Sequence, residues 1–257
     1  MYRDNRLKKR LEEGKKVLGS WSTLGNPFVA EILGQTGFDF IIFDQEHGFG
    51  DPAALALQLQ AISAYPTTSI VRVPWNDPVY LKRVLDAGVE GVMIPSIETA
   101  EEARAAVAAC RYPPAGRRGS AVGSIRASNY GADASYSKGA AERLLIVCQI
   151  ESAVAVGNID AIAAVEGIDV LFIGPFDLSG SIGQLGNIAH PEVARLIQTA
   201  EKGIKASGKK IGTVPHPGLS WRDMLERGYD MITAGSEVRF LRDAGEAAVK
   251  AMRAAYP

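Results

Sequence analysis

The chain has 257 residues, of which 47% are hydrophobic, and its 28 Lys and Arg residues nearly balance 29 Asp and Glu residues to give a net charge of -1. This composition is typical of a globular protein and excludes a wholly disordered chain. The balanced charge argues against a nucleic-acid partner, because such proteins usually carry a basic excess or a basic stripe.

Cysteine usage and hydropathy bear on the compartment of the protein and on membrane association. Cys110 and Cys148 show no Cys-x-x-Cys spacing, which excludes a disulfide framework and a cysteine-rich zinc site and favours a reducing compartment, the cytoplasm. The N-terminal segment is charged and lacks the apolar centre of a signal peptide. No apolar run reaches the roughly 18 residues of a membrane span, so no membrane partner is predicted.

In chain order, a short amphipathic helix ends near Arg10–Glu13 and is stopped by Gly14, and short apolar runs then alternate with longer helical patterns. Strands are predicted near 17–22, 38–44, 69–73, 91–95, 144–150, 169–174, 210–214 and 229–234. Helices are predicted near 27–35, 53–64, 78–87, 99–110, 153–165, 191–206, 219–227 and 237–255. Several strands are continuously apolar, which is typical of parallel strands buried on both faces.

Eight strand–helix units without a dividing linker favour one α/β domain over residues 1–257, a (β/α)8 barrel. The alternative is a doubly wound open sheet, which would normally show a glycine-rich phosphate loop after its first strand, and residues 20–25 form no such loop. One long irregular stretch, residues 111–143, stands out, since a loop of that length is usually functional or disordered.

The active site of such a barrel lies at the C-terminal ends of its strands. Glu151 and Asp177 follow neighbouring strands there, and two carboxylates suit a hard divalent cation, although each could instead cap the next helix. His47 follows Asp44 by three residues and is a candidate general base oriented by that carboxylate, with a surface-loop histidine as the alternative. Arg72 lies in an otherwise apolar strand, which favours binding of a substrate anion over a structural salt bridge.

No lysine is predicted at the catalytic end of a strand, which excludes Schiff-base chemistry. If the enzyme stabilises a carbanion beside a carbonyl group, a metal ion must therefore be the electron sink.

Several motifs, in order along nearly the whole chain, resemble those of the HpcH/HpaI aldolase family of class II pyruvate aldolases. They are Asp44-Gln45-Glu46-His47-Gly48, Val71-Arg72-Val73-Pro74, Gln149-Ile150-Glu151, Gly174-Pro175-Phe176-Asp177-Leu178-Ser179 and Gly235-Ser236-Glu237-Val238. The resemblance implies reversible retro-aldol cleavage of a 4-hydroxy-2-oxo acid to pyruvate, or a close 2-oxo acid, and an aldehyde.

The same resemblance implies a set of roles. Glu151 and Asp177 would bind Mg2+, Mn2+ or Co2+, and His47 paired with Asp44 would be the acid/base group. Contacts to the 2-oxo acid would come from Arg72, Gln149 and the backbone of Phe176 and Asp177. The C-terminal helix would be exchanged between subunits of a hexamer built as a trimer of dimers, and Asp86 would lie near a neighbour's site. Separately from the resemblance, we hypothesise that the loop 111–143, with Arg117, Arg118, Arg126 and Tyr130, shapes the aldehyde pocket or a neighbour's site.

Three alternatives stay open. One is a lyase for acyl-CoA 2-hydroxy acids of the malyl-CoA or citryl-CoA type, for which the sequence shows no clear nucleotide platform. Another is a decarboxylase of oxaloacetate-type acids, and the last is an inactive barrel that acts as an oligomeric scaffold.

Overall fold

A computed structural model describes residues 4–256, and it confirms the barrel. Eight parallel strands pair in sequence order, and β8 closes on β1, with Val17 beside Met231. The strands are β1 (Val17–Ser22), β2 (Phe40–Asp44), β3 (Thr68–Arg72), β4 (Gly91–Ile94), β5 (Leu145–Ile150), β6 (Val170–Ile173), β7 (Lys210–Thr213) and β8 (Met231–Ser236).

The α-helices surround this barrel and close one of its ends. They are α1 (Arg6–Glu12), α2 (Pro27–Gln35), α3 (Pro52–Ala61), α4 (Pro78–Ala87), α5 (Ala100–Cys110), α6 (Tyr136–Arg143), α7 (Ala153–Gly157), α8 (Ile159–Ala163), α9 (Pro175–Ser181), α10 (Pro191–Ser207), α11 (Trp221–Glu226) and α12 (Glu237–Ala255). Short 3-10 turns span Ile62–Ala64 and Arg126–Ser128. The single helix predicted over 153–165 is wrong, because Asn158 leaves helical geometry and donates its side-chain amide to the Glu98 carbonyl at 2.9 Å.

Local signals explain where the helices start. Asn26, Asp51 and Asp77 each accept a backbone N–H of the next helix's first turn, and a proline follows each of them. The barrel interior is filled by large apolar side chains such as Phe40 and Phe172, and α1 closes its N-terminal end with Leu7 and Leu11. Among the described residues, the C-terminal ends of the strands thereby form the open end of the packed barrel.

The long loop does not lie at the catalytic end of its own barrel. It follows α5, and its last part is not irregular as predicted but forms helix α6, which leads into β5. It therefore lies at the N-terminal end of the barrel, where Arg118 Nη2 meets Asp86 Oδ1 at 2.7 Å and Arg126 donates to the Ala87 carbonyl. The expectation that it shapes its own subunit's aldehyde pocket is wrong, because a chain segment entering β5 must approach from that side. A contribution of the loop or of Asp86 to a neighbour's site stays a prediction.

The last helix, α12, leaves part of the barrel uncovered. Its main contacts are with β1 and β8, and apolar side chains such as Leu241 and Met252 are 73% and 72% exposed. A groove of about 480 Å³ lies on the outer side of β1 and β8, and Trp221 and Leu225 of α11 form its wall. Over residues 4–256, no helix combines the length and the apolar character needed to cross a membrane.

Candidate active site

Polar side chains at the ends of β2, β3, β5 and β6 meet at the C-terminal end of the barrel. Asp44 and Arg72 end β2 and β3, and Glu151 follows β5, while Asp177 lies in the first turn of α9 after β6. A cavity of about 150 Å³ is lined by Glu46, His47, Ser96, Ile97, Glu98, Glu151, Ser152 and Asp177. The structure therefore brings both predicted metal ligands and the predicted acid/base histidine to one cavity.

Arg72 is held by two carboxylates. Its Nε and Nη2 donate to the two oxygens of Asp44 at 3.0 and 2.6 Å, and its Nη1 lies 3.0 Å from Glu46 Oε2. The guanidinium also lies 4.4 Å from the centre of the Trp21 ring, and the whole residue is only 9% exposed. The structural salt bridge that the sequence offered as the alternative is thus present. It uses three of the five N–H donors of Arg72 and leaves two for a substrate anion.

The expected side-chain pairing of Asp44 with His47 is not what the structure shows. Asp44 Oδ1 accepts the backbone N–H groups of Glu46 and His47 at 3.0 and 3.2 Å, besides its contacts with Arg72. Residues 44–47 form a turn in which the Asp44 carboxylate binds backbone N–H groups. Asp44 therefore contacts the backbone of His47 rather than its imidazole ring. That ring is 66% exposed, and its Nε2 lies 3.8 Å from Glu46 Oε2.

Glu151 is buried and fixed by its neighbours. Its Oε1 accepts the Ser96 backbone N–H at 2.7 Å, and its Oε2 accepts from Gln149 Nε2 at 2.8 Å. Ser96 adopts a φ of 53°, which is unfavourable for a residue other than glycine and directs its N–H to the carboxylate. Helix α7 is capped by Ser152, so Glu151 does not serve as the cap that the sequence left open.

The cavity carries an excess of negative charge. The pKa of Glu151 is raised to about 7, chiefly by burial and also by the nearby Glu46 and Asp177 carboxylates, while the Ser96 N–H and Arg72 act to lower it. Burial also raises the pKa of Glu46, where Arg72 opposes the effect and Asp44 and Asp177 add to it. A cation bound in the cavity would favour the ionised form of both carboxylates.

The donor set fits a hard divalent cation. Glu151 and Asp177 offer carboxylate oxygens to the cavity, and the Gln149 Oε1 atom is buried without a hydrogen-bond partner among the described residues. Within residues 4–256, no group of three or more His, Cys, Asp or Glu side chains is arranged to hold a metal ion. A site made by two side chains would leave the remaining coordination positions to substrate and water.

Comparison with known proteins identifies the family. A model of the HpcH/HpaI aldolase/citrate lyase family matches residues 18–244. The chain belongs to this family. A 5-keto-4-deoxy-D-glucarate aldolase of Shigella boydii serotype 18 is 41% identical over 240 residues, which cover 93% of each chain. The family resemblance predicted from the motifs is confirmed.

Solved structures of the HpcH/HpaI family share the whole fold. A HpcH/HpaI aldolase/citrate lyase family protein from Burkholderia cenocepacia J2315 superposes with a TM-score of 0.93 at 37% identity, over 97% of this chain and 99% of that one. A HpcH/HpaI aldolase from Desulfitobacterium hafniense DCB-2 gives a TM-score of 0.87 at 30% identity, over 96% of each chain.

Sequence reasoning assigned no role to three members of the site. Glu46 stands inside the DQEHG motif, so its position was a usable signal, but its contacts with Arg72 and His47 were not visible. Trp21 ends β1 beneath the guanidinium and could have been inferred only from the barrel geometry. Ser96 gave no signal, because its contribution is a backbone N–H.

Proposed function

We propose that this HpcH/HpaI family member is a divalent-metal-dependent class II aldolase that cleaves a 4-hydroxy-2-oxo acid to pyruvate, or a close 2-oxo acid, and an aldehyde. The observation that carries the proposal is the convergence of Glu151 and Asp177 on one acidic cavity beside the buried Arg72. The aldolase names of the relatives support the same class of reaction, a carbon–carbon lyase.

Glu151 and Asp177 would hold the metal ion, which is Mg2+, Mn2+ or Co2+. When bound, the metal supplies Lewis-acid stabilisation of the negative charge that develops on the 2-oxo oxygen. The absence of lysine from the catalytic strand ends supports this assignment, since the one strand lysine in the described chain, Lys210, begins β7 at the opposite end.

The protein's own groups would bind the 2-oxo acid and move protons. Arg72 would bind an anionic oxygen through its remaining N–H donors, and Gln149 and the backbone of Phe176 and Asp177 would complete the contacts. His47 would accept the C4 hydroxyl proton as the C3–C4 bond breaks, which releases the aldehyde and leaves the bond's electron pair in the enolate of pyruvate. Protonation of C3 then gives pyruvate, and the reverse steps give synthesis.

The assay is pyruvate release from a panel of 4-hydroxy-2-oxo acids, with oxaloacetate and malyl-CoA in parallel, before and after removal of metal by a chelator. The proposal expects metal-dependent cleavage of at least one hydroxy-oxo acid. Turnover of oxaloacetate alone would favour a decarboxylase, and turnover of malyl-CoA alone would favour an acyl-CoA lyase. No turnover of any of these compounds would favour an inactive scaffold.

We also propose that α12 is exchanged between subunits, within a hexamer built from three dimers. The apolar face of α12, including Leu241 and Met252, and the open groove beside Trp221 are complementary in character. A helix face of this kind buries its apolar side chains against a partner, and the groove lies where an eighth barrel helix would pack.

A further inference from the structure

A chain of charged contacts joins the ends of β2 and β3 at the rim of the barrel. Asp44 holds Arg72 through two hydrogen bonds, and Arg72 in turn holds the Glu46 carboxylate at 3.0 Å. The same oxygen of Glu46, Oε2, lies 3.8 Å from Nε2 of the His47 imidazole. Glu46 is therefore the carboxylate that faces the ring, and its position depends on a buried arginine rather than on solvent.

The two side chains in this last contact differ in exposure. The Glu46 side chain is 19% exposed, whereas the His47 side chain is 66% exposed. An exposed imidazole has little packing to fix its rotamer, so a fixed neighbouring charge is the available means of holding it toward the cavity. Asp44 is unsuited to that task because its oxygens are already used by Arg72 and by two backbone N–H groups.

We propose that Glu46 is a positioning residue that couples Arg72 to His47 and holds the imidazole over the cavity. This inference rests on the proposed function for its kinetic consequences but not for its structural ones. The charged groups around the pair are Asp44, Arg72, Glu151 and Asp177, so removal of the Glu46 charge also lowers the local excess of negative charge. A purely electrostatic effect on metal binding must therefore be separated from an effect on the ring.

The kinetic test is a double-mutant cycle with E46Q and H47N in the metal-loaded full chain. We expect E46Q alone to lower kcat at least about tenfold, the size of loss common when a group that orients a functional side chain is changed, with KM for the hydroxy-oxo acid changed less than about threefold. In the H47N background, E46Q should change kcat by less than twofold, because its route of action has been removed. E101Q, which removes an exposed glutamate charge on α5, is the matched control.

The structural test uses no catalysis and holds even if the protein cleaves none of the substrates tried. The imidazole 13C–1H signal of His47 is identified by its loss in H47N, and it is expected to shift in E46Q and to stay in place in E101Q. Equal E46Q effects in the wild-type and H47N backgrounds, or an unshifted His47 signal in E46Q, would overturn the proposal.

Discussion

Gly174 leaves the space that Glu151 occupies, and filling that space gives a sharp test of the site. A Cβ atom added at Gly174 would lie 2.7 Å from Glu151 Oε2 and 3.0 Å from Glu151 Cβ. The backbone φ of -97° suits alanine, so the carboxylate contact is the main source of strain in G174A. Ordinary contact begins near 3.4 Å, and the carboxylate must therefore retreat by about 0.7 Å from Ser96 and Gln149.

A displacement of that size is enough to change function more than stability. We expect G174A to weaken Mn2+ binding and kcat/KM by about 10- to 100-fold, as changes to groups that support a metal ligand do. Overpacking of this kind costs about 1–3 kcal/mol, or a fall in Tm of roughly 2–12 °C. G157A is the control, because a Cβ at Gly157 meets nothing within 4 Å. Calorimetric Mn2+ titration and steady-state kinetics check the prediction, and affinity and turnover within twofold of wild type would refute the reasoning.

Three further predictions follow from the site and from α12. Burial raises the pKa of Glu151 from 4.5 in the unfolded chain to about 7 in the folded one, so the metal-free protein should lose up to about 3 kcal/mol of stability as pH rises between those values. Thermal melting of metal-free E151Q should therefore show a gain in stability over wild type at pH 8 that vanishes near pH 4, and an equal gain at both pH values would contradict this. R72K keeps the positive charge but loses the bidentate contact with Asp44. Turnover should fall about 10²- to 10³-fold, while circular dichroism should show an unchanged fold. Turnover near that of the wild type would exclude a role for Arg72 in binding the anionic oxygen of the substrate. L241E places a charge on the exposed apolar face of α12 and should lower the particle mass measured by light scattering, whereas a mass equal to that of the wild type would exclude that face as an interface.

The fold was readable because its local signals agree with one another. The bounds of α2 and α4 were predicted to the residue, since a capping side chain and proline begin each helix, and a glycine with positive φ follows shortly after. The division of the predicted helix 153–165 into α7 and α8 at Asn158 could not be predicted, because it depends on a tertiary hydrogen bond to Glu98. The position of the loop 111–143 follows only from strand direction in the closed barrel.

The sequence predicts which residues converge at the candidate site, but it does not predict which of them contact one another. The strand-end positions of Arg72, Glu151 and Asp177 follow from the strand–helix pattern. The partner of His47 does not, because Asp44 and Glu46 both lie within three residues of it in sequence. Only the folded structure shows that Asp44 contacts Arg72 and two backbone N–H groups, whereas Glu46 faces the ring. The backbone N–H of Ser96 is likewise invisible until the chain is folded.

Direct measurement of Mn2+ binding, by electron paramagnetic resonance on the full chain, tests the central claim that Glu151 and Asp177 together hold the divalent cation. The account predicts a single Mn2+ site per chain in the wild type and a loss of at least about 10-fold in affinity in D177A, in line with the removal of a metal ligand. Wild-type affinity in D177A, or no Mn2+ site in the wild type, would contradict it.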